Sequence, residues 1–403
     1  MHVLHVIPEF PFPPDSGVRA DIWNRLIAMR RLGYRVDAVV IRPRTLPKQR
    51  HVTALSEVAD RLEFIDRRAI ASCIAALRPT AVARNSSLRE LPLAESYDFV
   101  LAESEAAYPI FDNPRLQAKA RVLRVHNNEA AYRWAAARSE ENLLDRQFCR
   151  LEALRFAMFS PVAYDRADSL WFISEREFRR AARHRKEKSL WMPPAIQFGS
   201  EPQRRMTAAK RVLFVASLHT SLNREAVRWY LRHIHPRLQQ LPEYDFLVAG
   251  STTGGGVRGQ LAARVFAEEL RKEPRCRVRL DVDDLNPLYD ECALVVNPMH
   301  SGAGVKMKNI HAIERRVPLV TTSVGNEGSG FLDGEHVAIA DPPAEFACRM
   351  RDLLNDRDAA ERMAARAYRR LRAQYGTESN IAQGVERLFG APLSPAGKVA
   401  QTA

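Results

Sequence analysis

The sequence predicts an α/β protein of two doubly wound, Rossmann-like domains followed by C-terminal helices. Three observations predict it: short apolar runs recur with helix-like stretches between them, the series restarts near residue 210, and the chain has 403 residues. That length exceeds what one hydrophobic core usually supports, because domains cluster at roughly 100 to 200 residues.

In the first half the apolar runs fall at residues 3–7, 36–41, 99–102, 122–125 and 170–173. Each has the length of a buried parallel strand. Between the first two, residues 18–32 carry Ile22, Leu26 and Met29 at helical spacing, with Leu32 near the end and Gly33 as a stop. This stretch reads as a βαβ unit. The second half repeats the pattern at residues 212–216, 246–249, 278–280, 294–296 and 319–321, and becomes helical after Pro343. Met192-Pro193-Pro194 and the polar stretch behind it separate the two series. The expected division is a first domain at 1–195, a linker at 196–210, a second domain at 211–376, a terminal helix at 377–390 returning to the first domain, and a frayed tail at 391–403.

A hydrophobic share of 46% with 27% charged residues is that of an ordinary globular protein. No run approaches the ~20 apolar residues that span a bilayer. The opening MHVLHVIP is too short for a signal peptide and lacks a basic leader, so a cytoplasmic location is expected. Five cysteines without a C-x-x-C pair argue against a disulfide frame or structural zinc. The net charge of +13 favours phosphates, nucleic acid or an anionic membrane without choosing among them. Residues 175–188 hold seven Lys and Arg against three acids, with Arg179, Arg180 and Arg183 able to share a helical face. This is either a solvated basic helix or a docking site for an anionic membrane surface at the inner face, while the near absence of aromatics argues against nucleic acid.

In doubly wound sheets ligands bind beyond the carboxyl ends of the strands. The strongest such place is NPMHSGAGVKMKNIHAIE, where a strand ends at Val296, Gly302 and Gly304 form a loop, and a helix begins near Val305. Glycines let backbone N–H groups approach phosphate oxygens, the helix N-terminus adds partial positive charge, and Lys306 and Lys308 add full charges. The pattern is not a P-loop, and G-x-S-x-G, H-E-x-x-H and an N-terminal G-x-G-x-x-G are all missing, which removes hydrolase, zincin and NAD-enzyme readings as leading candidates. His126 ends a strand ahead of Asn127, Asn128 and Glu129, as a site residue or as a satisfied structural histidine. Ser174 and Glu175 either line a cleft or cap the basic helix, the cap being the better account. Trp191 and Met192 read as packing residues.

The segment PMHSGAGVKMKNIHAIERRVPLVTTSVGNEG is similar to the pattern of the group 1 family of retaining GT-B glycosyltransferases, family 4, in which Gly-Ala-Gly-Val-Lys-x-Lys, a helix, Pro-Val-Val-x-Thr and Gly-x-Glu-Gly follow one another. VLFVASLHTSLNREAVRWYL, VDDLNPLYDECALVVNP, PPDSGVRADIWNRLIAMRRLGYRV and VHNNEAAY resemble further family segments. The resemblance implies a GT-B fold, two domains facing a cleft, and transfer of sugar from a nucleoside diphosphate sugar to a hydroxyl acceptor with retention of configuration. It implies that Lys308 and Lys306 stabilise the donor diphosphate as it leaves, and that Gly302, Ala303 and Gly304 lie against phosphates and sugar. Val282 and Leu288 would flank the base, His126 would face the sugar or acceptor, and Gly17 would hold the N-terminal loop near the donor. No cofactor and no metal are expected.

Where the family has a Glu that grips both ribose hydroxyls, this chain has His311, which as a neutral imidazole accepts one hydrogen bond instead of two. Glu314 is a possible partial substitute. Asp281 stands where a Gly is usual, and Ala216 stands for the usual Gly of the opening loop of the second domain. Asp281-Val282-Asp283-Asp284 also contains the D-x-D that binds a divalent ion in GT-A enzymes, although the two lysines make a metal redundant. Two alternatives stay open: a degenerate transferase that binds a nucleotide or serves as a scaffold, and a GT-B nucleotide-sugar 2-epimerase.

Overall fold

The computed structural model describes residues 1–14, 17–43, 47–140, 142–199, 201–202, 209–252, 256–282 and 284–390. Residues 200 and 203–208 of the expected linker, the expected tail and Asp283 therefore lie outside the described residues. The chain divides into two compact units: the first comprises Met1–Ala130, Glu152–Gln197 and the chain from Tyr375, and the second Ala131–Leu151 and Phe198–Gln374.

The chain opens with β1 (His2–Ile7), α1 (Gly17–Arg31), β2 (Arg35–Ile41), α2 (Gln49–Val58), β3 (Arg61–Ile65), α3 (Thr80–Arg84), a 3-10 helix (Ser86–Glu90), β4 (Ser96–Glu103), a second 3-10 helix (Glu105–Asp112) and β5 (Gln117–Val125). Then come α4 (Glu129–Ser139), α5 (Leu143–Arg166), β6 (Ser169–Phe172), α6 (Glu175–Arg185) and β7 (Ser189–Trp191). The strands form one parallel sheet in the order β3-β2-β1-β4-β5-β6-β7. Residues alternate between its faces: Val3, Val36, Phe99 and Val122 enter one core, and Leu4, Val39, Val100 and Leu123 the other. Strands buried on both faces read as continuous apolar runs, which is why the central ones stand out in the sequence. β3 and β7 sit at the edges, one half-buried and the other three residues long, and went unread. α1 packs Ile22, Leu26 and Met29 on the sheet and stops at Gly33, whose φ of 75° is the left-handed conformation that closes a helix.

The second series runs β8 (Lys210–Ser217), α7 (Ser221–His233), α8 (His235–Leu238), β9 (Tyr244–Ser251), α9 (Gly256–Leu270), β10 (Cys276–Leu280), α10 (Asn286–Glu291), β11 (Leu294–Asn297), α11 (Met307–Glu314), β12 (Leu319–Thr321), β13 (Ala338–Ile339), α12 (Pro343–Asn355) and α13 (Arg357–Gln374). These strands form a second parallel sheet in the order β10-β9-β8-β11-β12-β13. The final helix, α14 (Thr377–Phe389), belongs to the first unit and adds Ile381 and Val385 to the core that holds Ile22 and Trp171. Its Gly384 is a close approach: an added Cβ would lie 2.9 Å from Met192 Cε and 3.0 Å from Trp171 Cζ2.

Two boundaries differ from the sequence reading. Residues 131–151 belong to the second unit, because Tyr132, Ala135 and Ala136 pack against its core. Ile196 is not linker but buried in the first unit, where Thr377 Oγ1 accepts from its N–H and donates to its carbonyl, both at 2.8 Å. No described helix is long and apolar enough to cross a membrane.

Candidate active site

Each sheet reverses its strand order once, between β1 and β4 in the first and between β8 and β11 in the second. The crevice beyond the carboxyl ends at such a reversal is where open α/β sheets take ligands. In the second unit the chain leaves β11 into the loop at 298–306, where Gly302 and Gly304 have φ of 118° and 75°. Both values are costly for a residue with a Cβ. The loop is pinned from several sides. Thr322 Oγ1 donates to Met299 O, Ser301 Oγ donates to Glu225 at 3.0 Å, and Lys306 Nζ donates to Ala303 O at 3.2 Å and Gly304 O at 2.7 Å. Lys306 thus turns back into the loop it closes. It stands at the N-cap position of α11, so the helix begins two residues later than the sequence suggested.

Lys308 lies in the first turn of α11, where the helix dipole shares its surroundings. Its Nζ donates to Asn223 Oδ1 at 3.0 Å and sits 4.3 Å from the centre of the Phe214 ring. Asn223 is itself held by donation to Ser217 O at 2.9 Å, and the neighbouring Arg224 donates to Leu218 O and His219 O at 3.0 and 3.1 Å. The start of α7 is thereby fixed beside the start of α11. No carboxylate among the described residues is paired with Lys308. Burial, together with the neighbouring Lys306, pulls its ammonium down to about 7. A cation held this way is favoured by an arriving anion.

His311 follows Lys308 by three residues, on the adjoining side of α11. Burial lowers its imidazole to about 4, so the ring is neutral at physiological pH. Burial raises the Glu314 carboxyl to about 7, against the pull of Arg315. Arg315 pairs with Asp290 at 2.6 Å and so ties α11 to α10, which carries Leu288. Val282 is half-buried just beyond β10, and Asp281 has φ of 49°, the left-handed conformation for which Gly would be natural. Asp281 accepts from Thr252 N at 2.8 Å and Thr252 Oγ1 at 2.7 Å, and Asp284 accepts from Asn286 N at 2.9 Å. Both acids of the D-x-D stretch that are described thus serve local backbone geometry. Beneath the loop Asn297 donates to Asn309 Oδ1 at 2.8 Å, and Asn309 donates to Gly325 O at 2.9 Å. The sequence reading missed this buried amide pair, which joins β11, α11 and the turn after β12; two asparagines 12 residues apart are its sequence trace.

The corresponding end of the first sheet is built on ion pairs. Glu103, at the end of β4, accepts from Arg25 Nε at 2.9 Å and contacts His5 Nε2 at 2.9 Å and His126 Nε2 at 2.8 Å. Asp21 accepts from Arg25 at 2.5 Å, from Arg124 at 3.2 Å and from Ala195 N at 2.6 Å, and Arg124 continues to Pro193 O at 3.1 Å. All six side chains are buried. Burial alone would raise Glu103, yet Arg25 and the two histidines hold it well below the usual carboxylate range. Gly17 opens α1, one turn ahead of Asp21, and His126 Nδ1 lies 4.0 Å from Asp21 Oδ2. Asp21, Glu103 and His126 have ligand atoms within 4.8 Å of one another. Arg25 and Arg124 already neutralise both carboxylates, so the trio does not fit a metal ion. Glu105 was also missed: burial, then Glu129, lifts its carboxyl to about 8.

The family model of glycosyl transferases group 1 matches residues 209–356. A 44.6 kDa protein in the cps region of Klebsiella pneumoniae is 30% identical over 361 residues, covering 86% of this chain and 89% of that one. Among solved structures, S. aureus TarM in complex with fondaparinux, alpha-GlcNAc-glycerol and UDP superposes with a TM-score of 0.70 at 10% identity, covering 96% of this chain and 99% of that one. Anabaena HepE in complex with UDP and glucose gives 0.64 at 14% identity, covering 96% and 98%. The fold is GT-B, and the chain belongs to the group 1 glycosyltransferases, enzymes that transfer sugar.

Proposed function

We propose that this enzyme transfers a glycosyl unit from a nucleoside diphosphate sugar to a hydroxyl acceptor, with retention of configuration and without a divalent metal. The observation that carries the reading is Lys308, a cation without a carboxylate partner among the described residues, set at the head of α11 beside a glycine loop. As the glycosidic bond breaks, charge grows on the diphosphate, and Lys308 together with the N–H groups of α11 meets it in a site already desolvated. Lys306 shapes the loop and adds long-range charge, with Gly302, Ala303 and Gly304 against the phosphates. Val282 and Leu288 flank the base, and His311 makes one hydrogen bond to the ribose. In the first unit, Gly17 serves the donor by holding the N-terminal loop, and His126 serves the sugar or acceptor, with its ring orientation fixed by Glu103.

The presence of UDP in the complexes of TarM and HepE supports a uridine nucleotide as the first donor to try. The cps-region relative supports an acceptor in polysaccharide synthesis. Retention rests on the resemblance to family 4. A cytoplasmic site of action, at an anionic membrane face, completes the reading.

Replacing Lys308 with Ala should cost on the order of 2 to 4 kcal/mol of transition-state stabilisation in a labelled-donor assay. Unchanged kcat/KM would remove Lys308 from the donor site. Transfer should survive exhaustive chelation, and loss with EDTA that manganese restores would return the Asp281 stretch to contention.

A further inference from the structure

We propose that the first unit carries a docking face for an anionic lipid bilayer, built from the outward side of α5 and the turn at residues 69–77. Only the choice of a membrane as partner rests on the reading above; the face itself is read from the surface.

From Glu152 onward α5 has two unlike sides. Glu152, Arg155, Phe156, Phe159 and Ala163 are buried. On the other side Leu154, Ala157, Met158, Pro161 and Val162 are exposed, Met158 by 66% and Leu154 by 57%. No charged residue interrupts this row, where a solvated helix would place its polar face. The turn after β3 exposes Ala69, Ile70, Ala71, Ile74, Ala75 and Leu77, the last by 91%. It is tethered to the same helix. Arg155 Nη2 donates to Ile74 O at 2.5 Å, the Arg78 guanidinium lies 5.8 Å from the Phe159 ring centre, and Glu152 accepts from Thr80 N at 2.9 Å. The turn and the helix are thus held together, and exposed apolar surface of this kind marks an interaction site.

The rim supports that choice of partner. Residues 66–90 contain Arg67, Arg68, Arg78, Arg84 and Arg89 against Asp66 and Glu90. Arg78 and Arg89 share the single carboxylate of Asp112, at 3.1 and 2.7 Å. A cavity of about 320 Å³ lies between Arg68, Cys73, Leu77, Arg78, Val82 and Arg89, and Arg89 Nε is buried with no hydrogen-bond partner. An apolar shelf bordered by excess positive charge matches acyl chains beneath anionic headgroups. A second copy of the chain would set this rim against itself, which like charges oppose. α6, the other basic element, has no large exposed apolar residue among the described residues, so its attraction to a membrane is electrostatic alone and screened by salt.

The test is co-sedimentation of the full chain with vesicles of phosphatidylcholine and of phosphatidylcholine with phosphatidylglycerol. Wild type should bind the anionic vesicles. Leu77→Ser with Met158→Ser, both at exposed positions, should weaken that binding by roughly tenfold or more, since each loses the burial of a large apolar side chain. Arg179→Ala with Arg180→Ala and Arg183→Ala should retain most of it. Thermal melts matching wild type confirm that each variant is folded. Binding lost in the α6 variant and kept in the apolar one would overturn the face while leaving the membrane reading intact. Absence of binding to either vesicle overturns both. A wild-type dimer in light scattering that the apolar variant abolishes would assign the face to self-association instead.

Discussion

The two sheets reverse their strand order in the same way, yet the ends of their switch points are opposites in charge bookkeeping. In the first unit each acid meets a base: Glu103 and Asp21 are enclosed by Arg25, Arg124, His5 and His126, and the polypeptide around Pro193 and Ala195 is fastened to them. In the second unit Lys308 faces an amide oxygen and an aromatic ring. One end pairs its acids with bases of its own, and the other would, in the proposed reading, be completed by an anion from outside. A shared topology therefore does not imply a shared task, and the unbalanced charge at Lys308 is the difference on which the proposed donor site rests.

The comparison breaks most visibly at Glu103. Glu103→Gln strands Arg25 and two histidines in a dry interior, and removal of one partner from such a cluster costs about 3 to 5 kcal/mol. Urea unfolding should show that loss in the first unit, whereas Lys308→Met should leave stability at neutral pH equal to wild type or higher. Equal midpoints for Glu103→Gln and wild type would mean that the ion pairs do not hold this end together.

A smaller effect follows from proton uptake. Because Lys308 sits near 7 when the site is empty and a diphosphate favours its charged form, binding above that pH takes up a proton. Donor affinity should fall as pH rises past 7, by at most about tenfold per unit. Calorimetry one unit either side of that value checks it, and Lys308→Arg, which stays charged, should flatten the slope. The same depression works the other way on stability: the unfolded chain binds the proton more tightly, so the empty second unit gains stability as pH rises from about 7 toward the ordinary lysine value of 10.5.

The smallest effect concerns His311. His311→Glu should tighten donor binding by a few fold to about tenfold, the worth of one further hydrogen bond at roughly 0.5 to 1.5 kcal/mol. With its ring held to about 4, wild type should show no His311-linked loss of affinity between pH 5 and 7. Identical affinities for both proteins would place His311 away from the ribose.

The sequence made the frame legible because central parallel strands are apolar throughout, and it made the Gly302 loop legible because glycines and lysines at a strand end carry their chemistry locally. The first unit's ionic cluster was not legible. Arg25 and Glu103 are 78 residues apart and His5 and Glu103 are 98 apart, so neither pairing leaves a local pattern. The transfer of residues 131–151 to the second unit was hidden for a related reason: Tyr132, Ala135 and Ala136 choose their core by tertiary packing. The orientation of Lys306 was equally out of reach, since its bonds to Ala303 and Gly304 depend on loop geometry.

The return of α14 to the first unit has a consequence for how the protein is made. Ile196 and the Thr377 that caps it are 181 residues apart, and the second unit's chain lies between them. A ribosome adding about 5 to 20 residues per second needs roughly 10 to 40 s to cover that distance. For that interval Trp171 and Met192 wait without the helix whose Gly384 will press against them. The first unit to emerge is therefore the last to be finished. A nascent chain of this enzyme therefore leaves part of its first core uncovered for 181 of its 403 residues of synthesis.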